Sequence, residues 1–181
     1  VLQDIFSLIV DAVAGVLGGI LLFRFWMQAI RIRPPNSLGH FTFALTDWLV
    51  RPLRRMIPGL GGYDWASLFA AFIIAILATL ATVWYFPQFS SRLVLVASLL
   101  RLVEWIIYGF MVFIFIEVAL SWVNPHAPLA PFVRALNDPL LRPLRRIIPA
   151  IGGIDLSCLV ALLLLQIALR VAIRLMPLLL T

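Results

Sequence analysis

Between Trp65 and Phe86 lie 22 consecutive residues without a charged side chain, enough helix to cross the roughly 30 Å of hydrocarbon in a bilayer. Such a stretch leaves few choices. In hydrocarbon every backbone N–H and C=O must be satisfied within the structure, so a continuous apolar run of this length is a helix. Three further spans obey the same logic: about 5–30, interrupted by Asp11 and Arg24; about 102–123, containing Glu117; and about 156–176, carrying Arg170 and Arg174 towards its far end. With 64% apolar and 12% charged residues among 181, the chain departs far from an ordinary soluble domain, at about 45–50% and 25%. A disordered chain, a coiled coil and a collagen-like fibre are excluded, and a soluble enzyme of this composition would expose large apolar patches. The expected fold class is an all-α polytopic membrane protein with four transmembrane helices.

Tryptophan and arginine mark the edges of these spans. Trp26, Trp65, Trp84, Trp105 and Trp122 each stand at the end of a span, where an amphipathic ring suits the headgroup layer. All 14 basic residues are arginine, set against 8 acids for a net charge of +6. Because the arginines flank apolar runs, anionic phospholipid is the expected partner and no direct nucleic-acid contact is expected. Residues 31–64 hold Arg31, Arg33, Arg51, Arg54 and Arg55; residues 124–155 hold Arg134, Arg142, Arg145 and Arg146; the link between the second and third spans holds only Arg92, with Arg101 near the membrane edge. The positive-inside tendency places both long loops in the cytoplasm and both termini outside, with Arg170 and Arg174 arguing the other way. The expected location is a bacterial inner membrane. Cys158 is alone, so no internal disulfide or cysteine-rich metal site is expected. The chain opens at Val1 without a methionine or a basic signal-peptide region, and an earlier true start is expected.

The two long loops are copies of one another. Asp47–Leu68 aligns without a gap to Asp138–Leu159 at an offset of 91, with 13 of 22 positions identical. Each unit crosses the membrane twice, so the copies share one orientation and form a parallel tandem repeat. Repeat 1 is 1–90 (spans about 5–30 and 65–86, basic loop 31–64); repeat 2 is 91–181 (spans about 102–123 and 156–176, basic loop 124–155). Asp47 and Asp138 resemble helix caps, the latter followed by Pro139. Pro52 and Pro143 are expected to kink that helix or to start a new, short one. After them Arg54 and Arg55, like Arg145 and Arg146, fall on one side, while Leu53, Met56 and Ile57, like Leu144, Ile147 and Ile148, fall on the other. This is the pattern of a short interfacial helix with its arginines, Arg51 and Arg142 included, at the phosphates. Pro58 and Pro149 stop it, Gly61–Gly62 and Gly152–Gly153 allow a tight turn at positive φ, and Asp64 and Asp155 cap the next membrane helix.

The constellation RPLRRxIPxxGGxD, present twice, resembles the YggT (YlmG) family. Its residues here are Arg51–Arg55, Ile57, Pro58, Gly61, Gly62 and Asp64, then Arg142–Arg146, Ile148, Pro149, Gly152, Gly153 and Asp155. Leu21–Gln28 is similar to the family's first helix and Leu120–Val123 to its third, whereas Pro35–Asn36–Ser37 and Trp48 depart from its usual first loop. The resemblance implies an integral membrane protein of bacteria or plastids without a recognised enzymatic activity. It also implies association with assembly of a membrane cytochrome complex, with division or nucleoid organisation, or with osmotic and cation tolerance.

Candidates for chemistry are few. His40 and His126 have no Cys, Glu or His neighbours at ligand spacing, so they read as loop histidines and neither a metal nor another cofactor is expected. No GxSxG, Walker loop or carboxylate pair beside a histidine is present. The arginine clusters serve either as topological anchors or as sites for lipid or a partner; a membrane-protein partner or a homo-oligomer is expected. Gly15-xxx-Gly19, with Gly18 between, suggests a close helix contact. Among the intramembrane charges, Arg24 and Glu117 fall near one depth at the cytoplasmic boundary, and Arg24 either snorkels or finds a partner. Asp11 and Arg170 fall about 22 Å from that boundary at 1.5 Å per residue, which predicts an ion pair across the first and fourth spans. The expected function is a non-enzymatic organising or assembly factor. The alternative is a small ion-transport or osmotic-homeostasis protein in which Asp11, Glu117, Gln166 and Arg170 line a polar path.

Overall fold

The computed structural model describes residues 1–57, 59, 61–83, 90–148 and 155–180, with side chains up to 176. Among the described residues there are six helices and no strand: α1 (Leu2–Ala29), α2 (Asn36–Met56), α3 (Trp65–Val83), α4 (Ser91–Val123), α5 (Ala130–Ile147) and α6 (Leu156–Leu180). Four of them, α1, α3, α4 and α6 to Met176, are long and apolar enough to span a bilayer. The chain is a multi-pass membrane protein built from two helix–basic helix–helix units. Helix α2 lies against α1 and α3, and α5 lies against α4 and α6.

Two elements are longer than the sequence pattern predicts. Helix α4 begins at Ser91, about eleven residues before the third span's expected start. The Ser90 hydroxyl accepts the Leu93 N–H at 3.1 Å and caps it. Arg92 and Arg101 interrupt the apolar run there, so hydropathy alone starts too late. The basic helices are longer as well. Asp47 and Asp138 do not cap them but lie inside α2 and α5, and Pro52, Pro139 and Pro143 lie within the helices without ending them. A mid-helix proline costs about 3 kcal/mol. All three prolines face outwards, while Val50 and Leu141, directly before or close to them, are fully buried and hold the helices against the bundle. Pro58, Pro149, Gly152 and Gly153, and Trp84 at the far end of the second span, lie outside the described residues.

The duplication extends into the core. One cluster gathers Val50, Ala66 and Ala70 with Leu49, Leu53 and Ile74 at its edge; another gathers Leu141, Cys158 and Ala161 with Leu140, Leu144 and Leu165. Most of these positions correspond at the offset of 91. Between lipid-embedded helices hydrophobicity alone gives no drive to associate, and close packing of small side chains takes its place. Helix α3 supplies that surface: Ala66, Ser67, Ala70, Ala71, Ala75, Ala78, Thr79 and Thr82 are all buried, and its most extensive neighbour is α1.

The halves meet along an aromatic seam. Trp26 donates its indole N–H to the Leu136 carbonyl at 3.0 Å and packs edge-on against Phe110 at 5.0 Å between centroids, and Phe23 lies 5.4 Å from Phe113. The glycine pattern in α1 works differently from a helix-on-helix contact. It is Gly18 that is pressed, because a Cβ there would fall 2.1 Å from the Trp105 ring of α4, whereas a Cβ on Gly19 meets nothing within 4 Å. Gly18→Leu should therefore lower the thermal unfolding midpoint in detergent by the equivalent of about 1–3 kcal/mol, the usual cost of overpacking. Gly19→Ala should leave the midpoint unchanged or slightly raised. Equal effects at the two glycines would refute this packing.

Candidate lipid-facing arginine helices and their buried ion clusters

Each basic helix is tied to the start of the next membrane helix by an arginine and an aspartate. Arg54 near the end of α2 donates to Asp64 through Nε at 3.2 Å and Nη2 at 2.6 Å, a two-point contact. Arg145 near the end of α5 donates through Nε to Asp155 at 2.7 Å. Two-point arginine–carboxylate contacts fix geometry as well as charge. The intervening turn is tight in repeat 1, with Gly61 at φ 69° and Gly62 at φ 85°, a region open chiefly to glycine. The aspartates sit where the sequence places helix caps. Asp155 accepts the Ser157 N–H at 2.9 Å, and Asp64 accepts the Ser67 hydroxyl at 2.6 Å. Their main task is one the sequence pattern does not reveal, to hold an arginine ten residues back.

A membrane-helix charge completes each cluster. In repeat 1 this is Arg24 of α1, which is only 5% exposed. It donates to the Thr46 hydroxyl at 2.6 Å and to Asp47 at 2.7 Å, its Nε lies 3.4 Å from Asp64, and it stacks 4.8 Å over the Phe43 ring. It does not snorkel. In repeat 2 the charge is Glu117 of α4, which accepts from Asn137 at 2.8 Å and from Arg145 at 2.8 Å, with Arg134 at 3.9 Å. Thr46 and Asn137 are 91 apart, as are Phe43 and Arg134. The two clusters thus share one plan with inverted charge: an arginine facing a phenylalanine in repeat 1, a glutamate facing an arginine in repeat 2.

The six motif arginines do not act alike. Arg54 and Arg145 are turned inwards. Arg51 pairs with Asp47 at 2.8 Å on the surface. Arg55, Arg142 and Arg146 are exposed and form no ion pair among the described residues. Beside them Met56 and Ile147 leave 81% and 79% of their surface open.

The expected pair between Asp11 and Arg170 does not form. Asp11 pairs with Arg101 of α4, and Arg170 is exposed on α6. Helix α4 carries a basic residue, Arg101, within reach of Asp11 on a neighbouring helix, made available by its early start. The imagined polar path is not assembled either: Glu117 belongs to the opposite end of the bundle, and Gln166 and Arg170 are exposed. His40 borders a cleft beside Asp47 and Arg51, His126 is exposed in the turn before α5, and no group of three or more His, Cys, Asp or Glu gathers among the described residues.

Electrostatics outside the spans follow from these contacts. Burial pushes the carboxyls of Asp47, Asp64 and Asp155 upwards, but hydrogen bonds and charge from Arg24, Arg54 and Arg145 outweigh it and hold all three below the ordinary range. The bond to Asp64 raises Arg54. Burial works against Arg145, but its bonds to Glu117 and Asp155 raise it. For carboxyls lowered in the folded state, the stabilisation is present above the unfolded value near 4 and is lost as pH falls through the folded value. The thermal midpoint should stay level from about pH 7 to 5 and drop below about pH 4, with a shallower acid drop for Asp155→Asn. An acid profile unchanged in that variant would refute the assignment.

Comparison with known proteins agrees with this architecture. The family model described as CCB3/YggT matches residues 3–85 and again 96–176, one copy on each unit. The uncharacterised protein YggT of Escherichia coli K12 is 35% identical over 82% of this chain and 78% of its own length. An uncharacterised Pseudomonas aeruginosa protein is 36% identical over the same shares, and one from Vibrio alginolyticus is 34% identical over 82% of this chain and 83% of its own. No solved structure matches. With its model matched twice over nearly the full length, the chain belongs to the CCB3/YggT family.

Proposed function

We propose that this protein is a non-enzymatic organising or assembly factor of the bacterial inner membrane, and that its arginine helices hold anionic phospholipid on the cytoplasmic side. The observation that carries the reading is the exposed trio Arg55, Arg142 and Arg146 beside the open apolar side chains Met56 and Ile147. An exposed arginine next to an exposed apolar residue suits the level where phosphates meet acyl chains. A cleft of about 590 Å³ in repeat 1 has the exposed Arg51 on its wall. Lipid gathered there, or a membrane-protein partner docked on the same helices, is the means by which the protein organises its surroundings.

The test is titration of phosphatidylglycerol onto the purified protein in detergent at low and high salt. Each arginine near an anionic surface contributes about 1 kcal/mol. The triple variant Arg55→Gln, Arg142→Gln, Arg146→Gln should therefore bind roughly a hundredfold more weakly at low salt with an unchanged thermal midpoint. Arg54 and Arg145 are left intact because their role is internal. Unaltered salt-dependent binding would overturn the lipid reading. Orientation is checked by thiol labelling in intact cells and in inside-out membrane vesicles: cysteines at positions 36 and 128 react from the cytoplasm and one at position 90 from outside, and the reverse pattern would overturn the topology.

A further inference from the structure

A cavity of about 960 Å³ lies between α1, α3 and α4, with Met176 of α6 at its edge, and its charged groups, Asp11, Arg101 and Glu104, lie away from the arginine clusters. That volume lies at the upper end of the range for pockets that enclose a small molecule. Its wall carries Asp11, Gly15, Gly19 and Phe23 on the α1 side, about 18 Å of helix. That is slightly more than one leaflet of hydrocarbon, half of roughly 30 Å. One end is charged and the rest is apolar.

Three observations describe what would fill it. Glu104 faces the cavity, is partly buried, and makes no hydrogen bond or ion pair among the described residues. A carboxyl in a membrane span without a hydrogen bond is costly and is ordinarily satisfied. One turn earlier on the same face stands Arg101, whose Nη1 is engaged by Asp11, leaving further guanidinium N–H donors for an anion. On the third wall the Thr79 hydroxyl, 1% exposed, lines the cavity without a hydrogen-bond partner. The apolar part is open where a side chain would otherwise fill it, since a Cβ on Gly19 or Gly109 meets nothing within 4 Å.

We infer that this cavity is a binding site for a phospholipid with a primary-amine headgroup: its phosphate meets Arg101, its ammonium meets Glu104 with Asp11 beside it, and an acyl chain runs along Gly19 and Gly109. The charges fit this class better than an anionic lipid. Two carboxyls and one guanidinium line the cavity, a set with more acidic than basic groups, which disfavours an added anion and suits a zwitterion presented ammonium to carboxyl. A primary ammonium offers N–H donors for charge-assisted bonds to the carboxylates, and a quaternary one offers none.

The experiment is native mass spectrometry of the delipidated protein with an equimolar mixture of phosphatidylethanolamine and phosphatidylcholine of identical chains. The arginine helices meet the same phosphate in both lipids, so this comparison does not depend on the function proposed above. The expected result is about a tenfold excess of phosphatidylethanolamine in the first bound lipid, the equivalent of one charge-assisted hydrogen bond. Glu104→Gln should abolish the excess while retaining lipid, and Gly19→Leu, which fills open space, should remove the selective adduct altogether. Equal occupancy by the two lipids on the unaltered protein would overturn the inference, as would an excess that survives Glu104→Gln.

Discussion

The structure depends on one contact made twice: an arginine at the end of a basic amphipathic helix bound to an aspartate at the start of the next membrane helix. Arg54 with Asp64 and Arg145 with Asp155 turn what would be two surface loops into fixed parts of the bundle. The reason is electrostatic. A carboxylate near the membrane boundary is costly unless paired, and a guanidinium brought to it must give up water in return. Once paired they add little net stability, but breaking either pair leaves a charge stranded. That asymmetry sets the register of the basic helix. It places Val50 and Leu141 in the core and leaves Arg55, Arg142 and Arg146 facing outwards.

The two halves solve the same problem with opposite signs. The first membrane helix of repeat 1 brings Arg24 into a cluster already holding Asp47 and Asp64, and that of repeat 2 brings Glu117 into one holding Arg134 and Arg145. The neighbour changes to suit, with Phe43 under the guanidinium and Arg134 beside the carboxylate. A duplicated unit need not keep identical charges so long as each cluster stays balanced. The inversion also separates the roles of the motif arginines. Arg145 serves two acids, Arg54 serves chiefly one, and the remaining arginines are released for the surface.

Much of this was legible in the sequence. Four spans, the tandem unit and the turn at Gly61–Gly62 follow from apolar run length, an ungapped internal alignment and glycine chemistry, because each depends on local pattern. What the pattern conceals is pairing. Asp47 reads as a cap because it matches Asp138, which precedes Pro139, yet it lies inside α2 and faces Arg24. Residue counting puts Asp11 and Arg170 at one depth, but counting does not say which side chains meet, and it is Arg101 that pairs with Asp11. The alanine stripe of α3 was present as Ala66, Ala70, Ala71, Ala75 and Ala78, a stronger small-residue signal than the glycines of α1. Glu104 lies within the third span, but the pattern does not show which way it faces or that it shares a cavity with Asp11 and Arg101.

The most direct test of the arginine–aspartate tie is a double-mutant cycle on repeat 2, with Arg145→Gln, Asp155→Asn and the double variant compared by equilibrium unfolding in detergent. If the tie holds the basic helix to the bundle, the double variant loses less than the sum of the single losses, with a coupling of about 1–3 kcal/mol. Additive effects, within about 0.5 kcal/mol, would mean that the two residues act independently and would contradict the account.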